Sequence, residues 1–162
     1  QNANLSAANL QNAKLLVANL QNANLWEANL QNANLSAANL QNANLSRANL
    51  QNADLWQAKL QHADLWGANL QHADLSRAKL QNADLRECDL SWRQLEKVKD
   101  GDLTGSKITE EDFKDKIYPK WKEKTDSEWE ALVEFERRAV MKNFHYETGV
   151  HVFDKWGKQI IP

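Results

Sequence analysis

Leucine falls at every fifth position from Leu5 to Leu90 without a miss. Two residues before each leucine stands an alanine, replaced once, by Cys88. The other three places of each five are mostly Asn, Gln, Ser or a charged residue. A longer period overlies this one. QNANLSAANL occupies Gln1–Leu10, returns letter for letter at Gln31–Leu40, and differs only at Arg47 in Gln41–Leu50. Nine such ten-residue units fill residues 1–90, and each splits into two fives of the form Ala-(Asn/Asp/Lys)-Leu-x-x.

A five-residue period fits neither regular template. On an α-helix, successive leucines would advance about 500° per step and spiral round every face. On a single extended strand they would alternate between opposite sides. Asn is also a weak helix former. The chain must therefore turn once per five residues, burying Ala and Leu and exposing the rest. Cys88 fits an inward alanine place, because an unpaired Cys packs as a small apolar side chain.

These eighteen consecutive Ala-(Asn/Asp/Lys)-Leu-x-x units resemble the pentapeptide-repeat family, whose motif is A(D/N)LXX. The resemblance covers residues 1–90 and implies a mainly β fold, a right-handed quadrilateral β-helix or β-solenoid. Four pentapeptides would form one 20-residue coil, giving four and a half coils in all. At strand spacing of roughly 4.8 Å such a rod is only about 20 Å long. Residues 20 apart then stack and residues 10 apart face opposite ways. Leu5, Leu25, Leu45, Leu65 and Leu85 form one inner ladder, and Asn4, Asn24 and Asn44 are expected to form an outer one. Leu45→Asp should unfold the array, whereas a charge at outward Ser46 should cost under about 0.5 kcal/mol.

Charge enters this plan late. The place before leucine is Asn in most early units and becomes Asp54, Asp64, Asp74, Asp84 and Asp89 later. Asp64 stacks on Asp84 and Asp54 on Asp74. Two carboxylates so spaced in water repel by roughly 1 kcal/mol, which backbone N–H donors or Lys59 and Lys79 would offset. An acidic stripe at Asp64 and Asp84 is a candidate contact for a basic partner. Three of seven tryptophans, Trp26, Trp56 and Trp66, directly follow a central leucine and should point outward. Trp26 and Trp66 share a face two coils apart; Trp56 lies opposite, in a column with Leu16. Exposed indoles mark contact surfaces, so these three are candidate partner contacts. His62 and His72 are 10 apart, hence on opposite faces, and cannot share a metal. A single cysteine excludes a disulfide framework. No cofactor or metal site is expected.

Periodicity ends at Leu90. Residues 91–162 hold 14 Lys+Arg and 15 Asp+Glu, against 6 and 7 in residues 1–90. This second segment reads as a small α+β domain that caps the solenoid or mediates contacts. Ser91 would cap a helix over Trp92–Lys99, and a Thr109–Asp112 capping box would open another over Glu110–Ile117. A longer helix is expected over Asp126–Tyr146, with Trp129, Leu132, Val133, Val140 and Phe144 on one side. Trp129 joins the candidate partner contacts. Val150–Phe153 and Lys158–Ile161 read as a β-hairpin about Gly157. His145, Glu147, His151, Asp154 and Lys155 have no spacing that fixes an active site, so no catalytic residues are assigned.

The net charge of −2 argues against a strongly basic nucleic-acid binder, and no apolar run reaches the roughly 18 residues of a membrane span. No secretory signal opens the chain, so a cytoplasmic location is expected. The leading expectation is a non-enzymatic protein–protein interaction module, a rigid scaffold with a C-terminal cap. The resemblance implies an alternative, because some family members inhibit or protect DNA gyrase by imitating duplex DNA. The nearly neutral repeat departs from that pattern, since DNA carries about one charge per 1.7 Å. A second alternative is an effector whose activity lies in residues 91–162. Nothing before Ala3 closes the first coil, so that end is expected to continue a longer chain or to meet another copy. Homo-oligomers through that end or through the long C-terminal helix are expected.

Overall fold

The computed structural model describes residues 2–90, 94, 97–98, 106–109, 141, 144, 150–153 and 159. Within residues 2–90 one backbone bridge recurs every five residues, each to the residue 20 further on. The four parallel ladders begin Asn4↔Asn24, Asn9↔Asn29, Lys14↔Asn34 and Asn19↔Asn39. Each coil therefore has four faces, named here by the first residue of each ladder. The leucines from Leu25 to Leu80 are fully buried, and the alanines between them nearly so. Each buried leucine contributes about 1.5–3 kcal/mol. Leu5, Leu10 and Leu15 of the first coil are half-buried.

Every backbone N–H of a typical unit has a partner, as Ala43–Arg47 illustrates. Ala43 N–H closes the turn onto the Leu40 carbonyl at 3.0 Å, while Asn44 N–H reaches down one coil to Ala23 at 2.9 Å. Leu45 and Arg47 N–H reach up one coil, to the Asp64 and Trp66 carbonyls at 2.7 and 2.8 Å. The ladder leaves one donor, Ser46 N–H, and the Asn44 side-chain Oδ1 takes it at 3.0 Å. This is an Asx-turn, the reason a short Asn or Asp precedes the leucine. The same bond recurs from Trp56 N–H to Asp54, Trp66 N–H to Asp64 and Ser76 N–H to Asp74.

The turns share a second property. All seventeen place their third residue at φ between 53° and 65°, from Ala7 to Glu87 with Gly67 among them. A positive φ there, with the bond back to leucine, is what a type II turn requires. L-residues resist it by roughly 1–2 kcal/mol, Asn and His least among those with side chains.

Beyond Leu90 the chain builds onto the last coil. Strand β1 (Lys107–Thr109) extends the Asn4 ladder, since Lys107 bridges Asp84 and pairs with Ala83 and Leu85. Strand β2 (His151–Phe153) lies parallel to β1, with Ile108 opposite Val152. Phe153 bridges Gln159 antiparallel, in the sense of the expected hairpin; its turn lies outside the described residues. Strand β1 was not expected from the sequence. Lys97 and Val98 form a turn and a bend, so the expected helix over Trp92–Lys99 does not reach its end. The Lys97 carbonyl instead accepts Arg77 N–H at 3.1 Å. Gln94 Nε2 donates to the Leu70 and Ala73 carbonyls at 2.6 and 3.1 Å, and Ser106 Oγ to the Leu80 carbonyl at 2.7 Å. The Ala73 carbonyl is of the kind that the next coil engages elsewhere in the rod, whereas the Leu70 and Leu80 carbonyls also accept their own turn bonds from Ala73 and Ala83 N–H. Val98, Ile108, Met141, Phe144, Val150 and Val152 join the leucine core in one cluster. Residues 141 and 144 are helical, within the expected long helix; the rest of that helix, Trp129 included, and the expected 110–117 helix lie outside the described residues.

Candidate interaction surface

The ten-residue repeat on a 20-residue coil sorts the outside into two pairs of opposite faces. The Asn9 and Asn19 faces receive the constant Gln-Asn or Gln-His dipeptides. The Asn4 and Lys14 faces receive every bulky residue that follows a leucine.

On the Asn9 face the glutamines stack. Gln11 Nε2 donates to Gln31 Oε1 at 3.0 Å, Gln31 to Gln51 at 2.9 Å and Gln51 to Gln71 at 3.3 Å. Gln71 completes the series by donating to the Asp89 carboxylate. The expected asparagine ladder is thus corrected. Asn4, Asn24 and Asn44 stack through their backbones, but their side-chain oxygens are committed to local turns. The amide ladder belongs to glutamine, whose longer arm spans the coil spacing.

On the Asn4 face the column after leucine runs Ser6, Trp26, Ser46, Trp66, Arg86. Trp26 and Trp66 point outward and are 40% and 38% exposed, so most of each indole lies on the rod. Ser46, between them, is buried and donates to Asn44 Oδ1 at 2.5 Å. That burial overturns the expectation that a charge at Ser46 would be almost free. The next column carries Glu27, Arg47 and Gly67. Arg47 reaches Glu27 at 3.5 Å and lies over the Trp66 ring at 4.9 Å from its centroid. Three successive coils are thus clasped by one guanidinium.

The acidic stripe is not one of bare carboxylates. Asp84 accepts both Nε and a terminal nitrogen of Arg86, which also lies over the Phe153 ring at 5.2 Å. The bond to Asp84 holds the Arg86 guanidinium pKa above its ordinary value. Asp64 is exposed, and its carboxylate accepts only Trp66 N–H among the described residues. On the opposite side, the Ser76 hydroxyl holds the Asp74 carboxyl below its ordinary range, with the Ser76 backbone N–H and Lys97 adding to the effect. Lys59 and Lys79 stack on the Asn19 face and pair with none of these carboxylates; backbone donors offset the repulsion instead.

Trp56 projects from the Lys14 face, 40% exposed, and cannot share a contact with Trp26 and Trp66. Its column runs Leu16, Ser36, Trp56, Ser76. Leu16 and its neighbour Val17 are the most exposed large apolar residues described, at 61% and 68%. His62 and His72 lie on opposite faces, each at a left-handed turn position that imidazole tolerates. The Cys88 thiol is buried and donates to the Leu65 carbonyl. Among the described residues no group of three or more His, Cys, Asp or Glu is arranged to hold a metal, and no helix is long and apolar enough to cross a membrane.

The Pentapeptide repeats family profile matches residues 18–57 and 57–91, in eight copies. Residues 18–91 are pentapeptide repeats. Proteins built of such repeats fold as right-handed quadrilateral β-helices, in agreement with the four ladders. Among solved pentapeptide-repeat structures, the chain is similar to Rfr23 from the cyanobacterium Cyanothece 51142. The two are 40% identical over 59% of each chain, with a TM-score of 0.47. It is also similar to HetL from Nostoc sp. strain PCC 7120, a protein involved in heterocyst differentiation regulation. That match is 30% identical over 67% of this chain and 55% of HetL, with a TM-score of 0.37. QnrB1, a plasmid-mediated fluoroquinolone resistance protein, is 21% identical over 65% of this chain and 67% of its own, with a TM-score of 0.22. The chain thus spans little more than half the length of Rfr23 and HetL. No curated protein matches it.

The sequence missed three features of this surface: the glutamine ladder, the left-handed turn residue and the buried serines between bulky neighbours. Gln at every tenth residue and Asn or His directly after it were the available signals.

Proposed function

We propose that the chain is a non-enzymatic protein–protein interaction module, a cytoplasmic rigid scaffold capped by residues 91–162, whose partner is a protein. The observation that carries this reading is the Asn4 face. Two half-exposed indoles, Trp26 and Trp66, flank a buried serine on a backbone fixed by ladder hydrogen bonds, with Arg47 and Asp64 beside them. Trp and Arg are the side chains that most often dominate binding energy, and a surface that does not rearrange loses little entropy on binding. The cap is supported by Gln94 on the Ala73 carbonyl, by Ser106 on the Leu80 carbonyl and by β1 on the last coil.

The alternative, imitation of duplex DNA before gyrase, finds less support in six basic against seven acidic residues over residues 1–90. The test immobilises the full chain, wild type and Trp26→Ser/Trp66→Ser, and compares the discrete proteins each captures from a lysate. Loss of specific proteins at an unchanged melting temperature supports the reading. An identical captured set overturns it, and inhibition or protection of gyrase in a supercoiling assay would favour the alternative.

A further inference from the structure

The Lys14 face carries a pattern that is complementary to its own reverse. Its ladder reads Lys14, Asn34, Asp54 upward, and its outward column reads Leu16, Ser36, Trp56. A two-fold axis lying in this face, across the rod at the level of Asn34–Ser36, sets two copies antiparallel. Each coil then meets the coil equally far on the other side of the axis. Lys14 of each copy faces Asp54 of the other, Leu16 faces Trp56, Val17 faces Gln57, and buried Ser36 faces itself.

We infer that this face binds a second copy of the chain, as a weak two-fold dimer centred on Ser36. Three observations carry the inference. Charge complementarity is the first. Lys14 is exposed and has no ion pair among the described residues, and it lies two coils, about 10 Å, from Asp54 of its own chain. The axis supplies the missing partner twice, as an isologous interface demands. The second is apolar exposure, since Leu16 and Val17 are the least covered large apolar side chains described. The third is conformation. Val17 is β-branched yet held at φ 58°, where such residues are rare. Burial against a second copy gives it a use. Only three coils meet, a smaller contact than stable dimers bury, so association is weak and reversible. The inference stands apart from the partner reading above, which concerns the opposite face.

Sedimentation of the full chain from micromolar to millimolar concentration tests it, on the wild type, Lys14→Glu, Asp54→Lys, the double reversal and Trp56→Ser. Lys already fills the equivalent place at Lys59 and Lys79, and Ser at Ser36 and Ser76, so these side chains fit the coil, although Asp54→Lys gives up the bonds Asp54 accepts from Trp56 N–H and Ser36 Oγ. Cooperative melting well above the working temperature verifies that each variant stays folded. The wild type should form dimers, and each single reversal should weaken them about tenfold or more, because symmetry creates two like-charge pairs. The double reversal should restore association to within about threefold, and Trp56→Ser should weaken it about tenfold. A wild type that stays monomeric overturns the inference. So does a dimer indifferent to the reversals or to Trp56→Ser, or a folded double reversal that fails to recover.

Discussion

The two kinds of face make the same backbone ladder and differ in what their turns hold. On the Asn9 and Asn19 faces the left-handed turn residue is Asn six times and His twice, the types that accept positive φ most readily among those with side chains. On the Asn4 and Lys14 faces the same place holds Ala7, Val17, Glu27, Ala37, Arg47, Gln57, Gly67, Arg77 and Glu87. Only Gly67 suits the conformation. The first pair of faces is optimised for its backbone, and one of them is tied further by glutamine. The second pair gives up that comfort and carries Trp26, Trp56, Trp66 and the Glu27–Arg47 clasp. Local choices that disfavour the fold mark where a surface serves something other than folding.

The largest expected effect tests whether the difference stops at the surface. Leu45 underlies a variable face and Leu50 a constant one, and both are fully buried. Leu45→Asp and Leu50→Asp should each cost more than about 4 kcal/mol and abolish the cooperative melt by circular dichroism. A melt that survives one of them would show that the two kinds of face differ in their core as well. Next is the glutamine ladder. Gln51→Ala removes one bond to Gln31 and one to Gln71 and should cost about 1–2 kcal/mol in a urea titration. The same change at Gln57, which makes no described side-chain bond, should cost less than about 0.5 kcal/mol. The smallest effect carries the opposite sign. Val17→Asn gives the Lys14 face the turn residue of its neighbours and should stabilise the chain by about 1 kcal/mol. If stability falls instead, Val17 contributes a contact within the chain.

Much of this organisation was legible in the letters. Leucine every fifth residue demanded a turn every fifth residue, and the doubled period placed Trp26 and Trp66 together and Trp56 opposite. The hydrogen-bond assignments were less accessible. Asn and Gln offer the same amide, and only the distance from the backbone decides that Asn44 folds onto its own turn while Gln51 reaches the next coil. Burial of Ser46 depends on neighbours 20 residues away in either direction, which a local reading treats as surface. Strand β1 was hidden for a related reason. Lys107–Thr109 is too short for an alternating pattern, and it is extended because the Asp84 ladder offers it a template.

The mismatch between a ten-residue unit and a 20-residue coil also governs how such a gene can change length. Duplicating or deleting 20 residues would lengthen or shorten the rod and leave every side chain on its original side. A change of ten would preserve the leucine core and the constant dipeptides equally well, yet rotate everything above the event through half a revolution. Placed between Leu30 and Leu60, it would carry Trp66 to the side that now bears Leu16 and separate it from Trp26. Folding would scarcely register the difference, while any partner reading one side of the rod would meet a new surface. Copy number modulo two is therefore a heritable variable in this architecture, open to selection through binding.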